Sequence, residues 1–177
     1  MPINEKVAKL MNEQIMKEWY SAYLYMSMAG YLEVQNLPGM AHWMQIQVLE
    51  ELSHGRIFQK YLSEDMGIQP VLEPIAAPPK TFSSPQDVFE KAYEHELTVT
   101  ASIHNIMDHA IKAGDHASRH MLEWFVAEQV EEEKSASEIV AMFKRMPKGH
   151  EAILFQLDAK LAARTFTMPP QLAKGAA

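Results

Sequence analysis

The sequence contains no cysteine, and this absence excludes several kinds of site at once. Disulfides, zinc–thiolate centres, iron–sulfur clusters and thiol nucleophiles all require cysteine side chains. The sequence does not decide between an oxidising and a reducing compartment, because a chain without cysteine is compatible with either.

Long apolar runs and runs of basic residues are also missing. The longest apolar stretches are a few residues, so no transmembrane helix fits, and the N-terminal MPINEKVAKLMNEQ lacks a signal-peptide core. The formal net charge is −7, without a cluster of Lys and Arg, which argues against nucleic acid as the main partner. We therefore expect a cytoplasmic protein with neither a membrane nor a nucleic acid as partner.

The chain is long enough for one domain, 1–177, with a proper hydrophobic core. Apolar spacing and turn signals predict five helices. Their approximate ranges are 4–34, 40–65, 86–113, 115–146 and 151–164. The tail after Thr165 is predicted to fray.

The segment 67–85 differs from its neighbours because its prolines exclude a helix. Fully extended, it reaches roughly 60 Å, whereas a helix over 40–65 is about 39 Å long. The segment can therefore cross the whole bundle and let the third helix run parallel to the second. A disordered linker is the alternative, but Val71, Leu72 and Ile75 give the segment apolar side chains to pack. These features predict an all-α four-helix bundle with a long crossover between helices 2 and 3 and a short fifth helix.

Each of the four long helices has an apolar stripe that polar residues interrupt near its midpoint. The interrupting residues are Glu18, Glu51, His54, Glu96, Gln129 and Glu132. The midpoints of packed helices of similar length lie at one level, so we expect these side chains to converge in the core. Four carboxylates cannot share a core unless they are protonated or neutralised by cations, and no Lys or Arg occupies these stripes. Two divalent metal ions would supply the missing charge, with Glu51 placed to bridge them.

Simpler interpretations exist for each residue alone. One acid on a helical stripe is usually an edge residue, and a single Glu-x-x-His pair is common by chance. Tyr25 lies on the same face as Glu18; it is either a core aromatic bonded to a carboxylate or a redox-active neighbour of the metals. The remaining acids near the centre form either a solvated surface or a third, peripheral metal site. These acids are Glu50, Glu128 and Glu131.

The motifs around these residues resemble those of the non-haem bacterial and archaeal ferritins over nearly the full chain. The matching stretches are NEQ at 12–14, EWYSAYLY at 18–25, EELSH at 50–54, YEHE at 93–96 and WFVAEQVEEEK at 124–134. The resemblance implies a ferritin-like bundle that assembles with identical copies into a hollow 24-subunit shell. It also implies iron storage and detoxification, in which a ferroxidase oxidises Fe(II) with O₂ or H₂O₂ and deposits a ferric mineral.

The resemblance implies a role for each interrupting residue. Glu18, Glu51 and His54 would hold the first iron. Glu51, Glu96 and Glu132 would hold the second, with Gln129 beside it. Tyr25 would be the neighbouring tyrosine, and Glu50, Glu128 and Glu131 would form an additional iron site.

The sequence departs from the haem-binding bacterioferritins at two places. Leu52 stands where their haem-ligating Met would be expected, and the fourth helix lacks their second Glu-x-x-His. We therefore expect no haem. Three alternatives remain open: metal storage without oxidase activity, a di-iron oxygenase or peroxidase acting on an organic substrate, and a purely structural bundle.

Overall fold

The computed structural model describes residues 3–147 and 151–173, and most of them are helical. The helices are α1 (Glu5–Val34), α2 (Pro38–Lys60, continued by a π-helical turn over Tyr61–Asp65), α3 (Pro85–Ala113), α4 (His116–Arg145), α5 (Glu151–Leu161) and α6 (Pro170–Ala173). No strand occurs in these two ranges, so the all-α prediction is confirmed. Within the same ranges, every helix is too short or too polar to cross a membrane.

Side-chain caps determine where three of the long helices begin. Asn4, Ser84 and Asp115 each accept hydrogen bonds from backbone amides in the first turn of α1, α3 and α4, respectively. Pro85 occupies the first position of α3, where its fixed φ suits a helix. Gly114 ends α3 in the left-handed region, with φ of 63°. These local signals explain why the predicted helix boundaries lie close to the observed ones.

The start of α2 has no such cap in its own sequence, because Leu37 precedes it. A residue from α5 takes that role: the backbone amide of Met40 donates to Asp158 Oδ1 at 2.8 Å. A Cβ atom on Gly39 would lie 1.9 Å from the backbone oxygen of Asp158, so the absence of a side chain lets α5 approach this closely. The fifth helix is therefore docked on the first turn of α2.

The segment between α2 and α3 runs along α1. The side chain of Asn12 exchanges two hydrogen bonds with the backbone of Val71, each 2.8 Å long. Further along, the ring of Phe82 packs on Tyr31, with ring centroids 5.5 Å apart. Because these contacts follow α1 from its first turns to its last, the crossover spans the bundle and α3 runs parallel to α2. The predicted long crossover is confirmed.

The core consists of two apolar clusters with a polar layer between them. Large members of the first cluster are Met28, Trp43, Phe89 and Phe143. Large members of the second cluster are Ile15, Phe58, Ile103 and Phe125. The buried polar residues of the layer come from all four long helices, as the central interruptions of the stripes predict.

The prediction of a frayed tail after Thr165 is wrong up to Ala173. The helix α6 forms there, and Leu172 packs against the second apolar cluster. Lys60 Nζ also donates to the backbone oxygen of Gln171 at 3.3 Å. An apolar side chain and a lysine of α2 thus hold this segment against the bundle.

Candidate metal centre

Three side chains from α1 and α2 come together in the polar layer. One carboxylate oxygen of Glu18, one of Glu51 and a ring nitrogen of His54 all lie within 4.8 Å of one another. All three residues are buried, with relative exposures of 1%, 1% and 2%. Glu18 Oε2 and Glu51 Oε2 have no hydrogen-bond partner among the described residues. Buried oxygens without partners are costly, so this geometry fits a bound cation.

Glu96 enters the same layer from α3. The hydroxyl of Tyr25 donates to Glu96 Oε1, and Gln129 Nε2 donates to Glu96 Oε2 at 3.2 Å. Burial and the nearby charge of Glu132 raise the pKa of Glu96 to about 8. Glu96 lies outside the two groups whose ligand atoms all fall within 4.8 Å in the described ranges. The structure therefore brings Glu96 to the layer. The ligand atoms of the second predicted set, however, do not all lie within 4.8 Å of one another, as those of the first set do.

Glu132 reaches the layer from α4 and belongs to the second of these groups, together with His54 and Glu128. Gln47 Nε2 donates to Glu132 Oε2 at 2.9 Å. The two nitrogens of His54 face different sides: Nδ1 lies 3.7 Å from Glu51 Oε2, and Nε2 lies 3.9 Å from Glu128 Oε1. The imidazole thus separates the central ligands from the acids nearer the surface.

The layer has an excess of negative charge. Burial, and then the charges of Glu96 and Glu18, raise the pKa of Glu51 well above its usual range. Burial and the charge of Glu96 likewise raise the pKa of Tyr25 well above 10, so its hydroxyl keeps its proton and donates. None of the buried polar residues in the described ranges is Lys or Arg. The chemistry of this layer therefore fits bound cations.

The three acids of the predicted third site line one cavity of about 460 Å³, which the segment 164–170 partly covers. A protein cation already contacts one of them: Arg164 Nη2 lies 2.6 Å from Glu50 Oε2. The same guanidinium lies over the ring of Trp43, 4.4 Å from its centroid. Burial raises the pKa of Glu50 to about 8, and the charge of Arg164 opposes that rise. Glu128 and Glu131 thus share a cavity with a carboxylate that is already paired.

Sequence reasoning missed several polar residues around the centre. Gln14 and Gln47 are fully buried, and each donates to a carboxylate of the layer. Spacing offered a signal for both, because they precede Glu18 and Glu51 by four residues and therefore share their helix faces. Arg164 offered none, since it lies 114 residues from Glu50 in the sequence.

Known proteins are similar to this chain in both sequence and fold. Residues 8–146 match the Ferritin-like domain family. The bacterial non-heme ferritin of Bacteroides fragilis (strain 638R) is 38% identical over 162 residues, covering 92% of this chain and 99% of that protein. The bacterial non-heme ferritin of Campylobacter jejuni is 37% identical over 143 residues, covering 80% and 84% of the two chains. The structure of a closed form of the Archaeoglobus fulgidus ferritin, engineered by site-directed mutagenesis, matches with a TM-score of 0.89 and 42% identity, covering 93% and 99%. In sequence and in fold, the chain belongs to the ferritin family.

Proposed function

We propose that this chain stores and detoxifies iron: it oxidises Fe(II) to Fe(III) at a site within each subunit and deposits a ferric mineral inside a hollow cage of 24 copies. The observation that carries this proposal is the buried group of Glu18, Glu51 and His54, whose ligand atoms lie within 4.8 Å of one another. The family and the names of the relatives support iron as the metal.

The proposed ligands divide between two Fe(II) ions, which are substrates here. Glu18, Glu51 and His54 hold the first ion. Glu51, Glu96 and Glu132 hold the second, with Gln129 beside it. Glu51 is common to both sets and is therefore the proposed bridge. Carboxylate oxygens and an imidazole nitrogen suit Fe(II), and one layer of the bundle supplies them all.

Charge balance explains why oxidation favours product release. The four glutamates of the layer carry four negative charges when ionised, which two Fe(II) ions neutralise. Oxidation releases two electrons, which reduce O₂ and two protons to H₂O₂, or H₂O₂ and two protons to water. The two Fe(III) ions then exceed the carboxylate charge by two, so their binding of hydroxide and their departure to a mineral become favourable. The protein contributes position and charge, and the iron contributes the redox chemistry.

Aerobic mixing of metal-free protein with Fe(II) tests the oxidase activity through the absorbance of the ferric product. We expect faster oxidation than in buffer, and a rate at least about tenfold lower in Glu51→Gln, which loses the negative charge of the shared ligand. Glu138→Gln, which changes an exposed acid of α4, is the matched control. A wild-type rate equal to that in buffer would favour metal storage without oxidase activity.

Size-exclusion mass, measured with and without added Fe(II), tests the cage. We expect a species of 24 subunits that gains mass as iron is oxidised. A species of a few subunits without an iron core would contradict storage.

A second candidate, oxidation of a small organic substrate by the same di-iron site, is favoured by one observation. An apolar cavity of about 350 Å³ lies between α1, α3 and the crossover, and His95 lines it. The ring of His95 packs edge-on against Tyr25, whose hydroxyl donates to Glu96. Ile75→Trp, which fills this cavity, separates the candidates. Storage predicts an unchanged rate of Fe(II) oxidation, whereas an oxygenase would lose O₂ consumption that depends on an organic substrate and a reductant.

A further inference from the structure

Three residues connect the first iron ligand to the protein surface. Lys17 Nζ lies 2.7 Å from Ser102 Oγ, and Ser102 Oγ lies 2.5 Å from Gln14 Oε1. Gln14 Nε2 in turn lies 2.9 Å from Glu18 Oε1. Lys17 is exposed, Ser102 is half-buried and Gln14 is fully buried. The hydrogen-bond chain thus runs from solvent, across the α1–α3 contact, to a buried carboxylate.

The chemistry of the three side chains determines which group donates and which accepts in each hydrogen bond. A lysine ammonium group can only donate, so Ser102 accepts from Lys17. The hydroxyl hydrogen of Ser102 is then directed at the side-chain oxygen of Gln14. That contact fixes which end of the Gln14 amide faces Glu18, so its NH₂ group is the one that donates to the carboxylate.

The hydrogen-bond chain holds one carboxylate oxygen of Glu18 and leaves the other without a hydrogen bond among the described residues. Glu18 Oε1 accepts from Gln14, whereas Glu18 Oε2 is buried without a hydrogen-bond partner among the described residues. A carboxylate fixed in this way presents a single oxygen to a metal. The arrangement favours one coordination mode of Glu18 over chelation through both oxygens.

A second buried glutamine of the layer, Gln47, lacks this support. Gln47 donates to Glu132 at 2.9 Å, but Gln47 Oε1 has no hydrogen-bond partner within the described part of the chain. Within the part of the chain that the structure describes, no counterpart of Ser102 and Lys17 therefore orients the Gln47 amide. Among the described residues, the Gln14 amide is therefore held at both its oxygen and its nitrogen, whereas the Gln47 amide is held at its nitrogen alone.

We propose that Gln14, Ser102 and Lys17 are positioning residues that hold Glu18 as a one-oxygen ligand of the first metal ion. This inference rests on the proposed di-iron site. Hydrogen bonds from a second layer of residues to metal ligands are typically worth about 10–100-fold in metal affinity. Breaking this hydrogen-bond chain allows the Glu18 carboxylate to rotate. The affinity for the first metal ion then falls, and the coordination of that ion changes.

Anaerobic titration of the full-length metal-free protein with Co²⁺ tests the proposal by calorimetry and by the visible absorption of bound Co²⁺. We expect Gln14→Leu and Ser102→Ala to weaken binding of the first Co²⁺ equivalent by about 10-fold or more and to change the absorption spectrum of that bound Co²⁺. Ser102→Thr keeps the hydroxyl and is expected to restore both. Lys17→Met is expected to act in the same direction, and Lys17→Arg to preserve the wild-type result.

Lys9→Met is the matched control for charge, because Lys9 is another exposed lysine of α1. Equal weakening by Lys9→Met and Lys17→Met would overturn the positioning role in favour of general electrostatics. Unchanged Co²⁺ affinity and absorption in Ser102→Ala would overturn the positioning role as well. Because Ser102 lies nearer the surface than Gln14, this variant still tests the proposal if Gln14→Leu does not fold. Failure of the wild type to bind Co²⁺ would instead contradict the di-iron site itself.

Discussion

At the scale of single residues, the buried carboxylates make the metal-free protein sensitive to pH. The folded state raises the pKa of Glu96 from 4.5 to about 8, and burial also raises the pKa of Glu51 well above 4.5. Between pH 4.5 and 8 the folded state therefore binds protons that the unfolded state has released, so the free energy of unfolding falls as pH rises. We expect the metal-free protein to melt at a lower temperature at pH 8 than at pH 5.5.

The matched measurement adds a redox-inert cation, Zn²⁺, at pH 8, where it should restore the melting temperature by replacing the protons. Glu96→Gln should reduce the pH dependence in the metal-free protein. A melting temperature that rises between pH 5.5 and pH 8 without metal would contradict this account.

Tyr25 gives a second prediction at this scale. Its hydroxyl donates to Glu96, and this hydrogen bond favours the ionised carboxylate. Tyr25→Phe removes the donor, so we expect the second Co²⁺ equivalent to bind about tenfold more weakly while the first changes little. Tyr23→Phe, at an exposed position of the same helix, is the control. Equal affinities in the two variants would leave Tyr25 a packing residue only.

At the scale of secondary-structure elements, Gly39 links α5 to α2. A Cβ atom there would lie 1.9 Å from the backbone of Asp158, which caps α2 through Met40. We expect Gly39→Ala to displace α5 and to lower the free energy of unfolding by about 1–3 kcal/mol. Thermal unfolding and limited proteolysis of α5 measure the effect.

Gly30→Ala is the control for Gly39→Ala, because a Cβ atom at Gly30 meets nothing within 4 Å among the described residues. There the substitution should stabilise α1 by roughly 0.5–1 kcal/mol, since alanine loses less entropy in a helix. A Gly39→Ala protein as stable as Gly30→Ala would show that α5 tolerates displacement.

The segment after α5 supplies the cation that pairs with Glu50. Because Arg164 neutralises this carboxylate, we expect the wild type to bind a third metal ion weakly at the cavity of Glu50, Glu128 and Glu131. Arg164→Met should increase the Co²⁺ stoichiometry by one equivalent per subunit. Arg119→Met, at an arginine about half exposed, is the control. An unchanged stoichiometry in Arg164→Met would remove the third site.

At the scale of the whole molecule, helical spacing predicted the bundle and its central layer. Glu51 and His54 occupy one helix face three residues apart, so their convergence follows from local geometry. The contacts of Asp158, Arg164 and Ser102 were not predictable in this way, because each joins residues more than 85 positions apart. Such contacts depend on how elements dock, and no local pattern encodes that. The π-helical turn at Tyr61–Asp65 was not predicted for another reason: its sequence YLSED contains no Gly or Pro that would mark a change from α2.

The division of the core into two apolar clusters has a thermodynamic consequence for the assembled fold. Residues that share no contacts contribute additively to stability, typically within about 0.5 kcal/mol. Phe58 and Phe89 belong to different clusters, so the destabilisations from Phe58→Leu and Phe89→Leu should sum in the metal-free double variant. Metal held by the proposed ligands would join all four helices, and it should turn this sum into a measurable coupling energy between the two halves of the bundle.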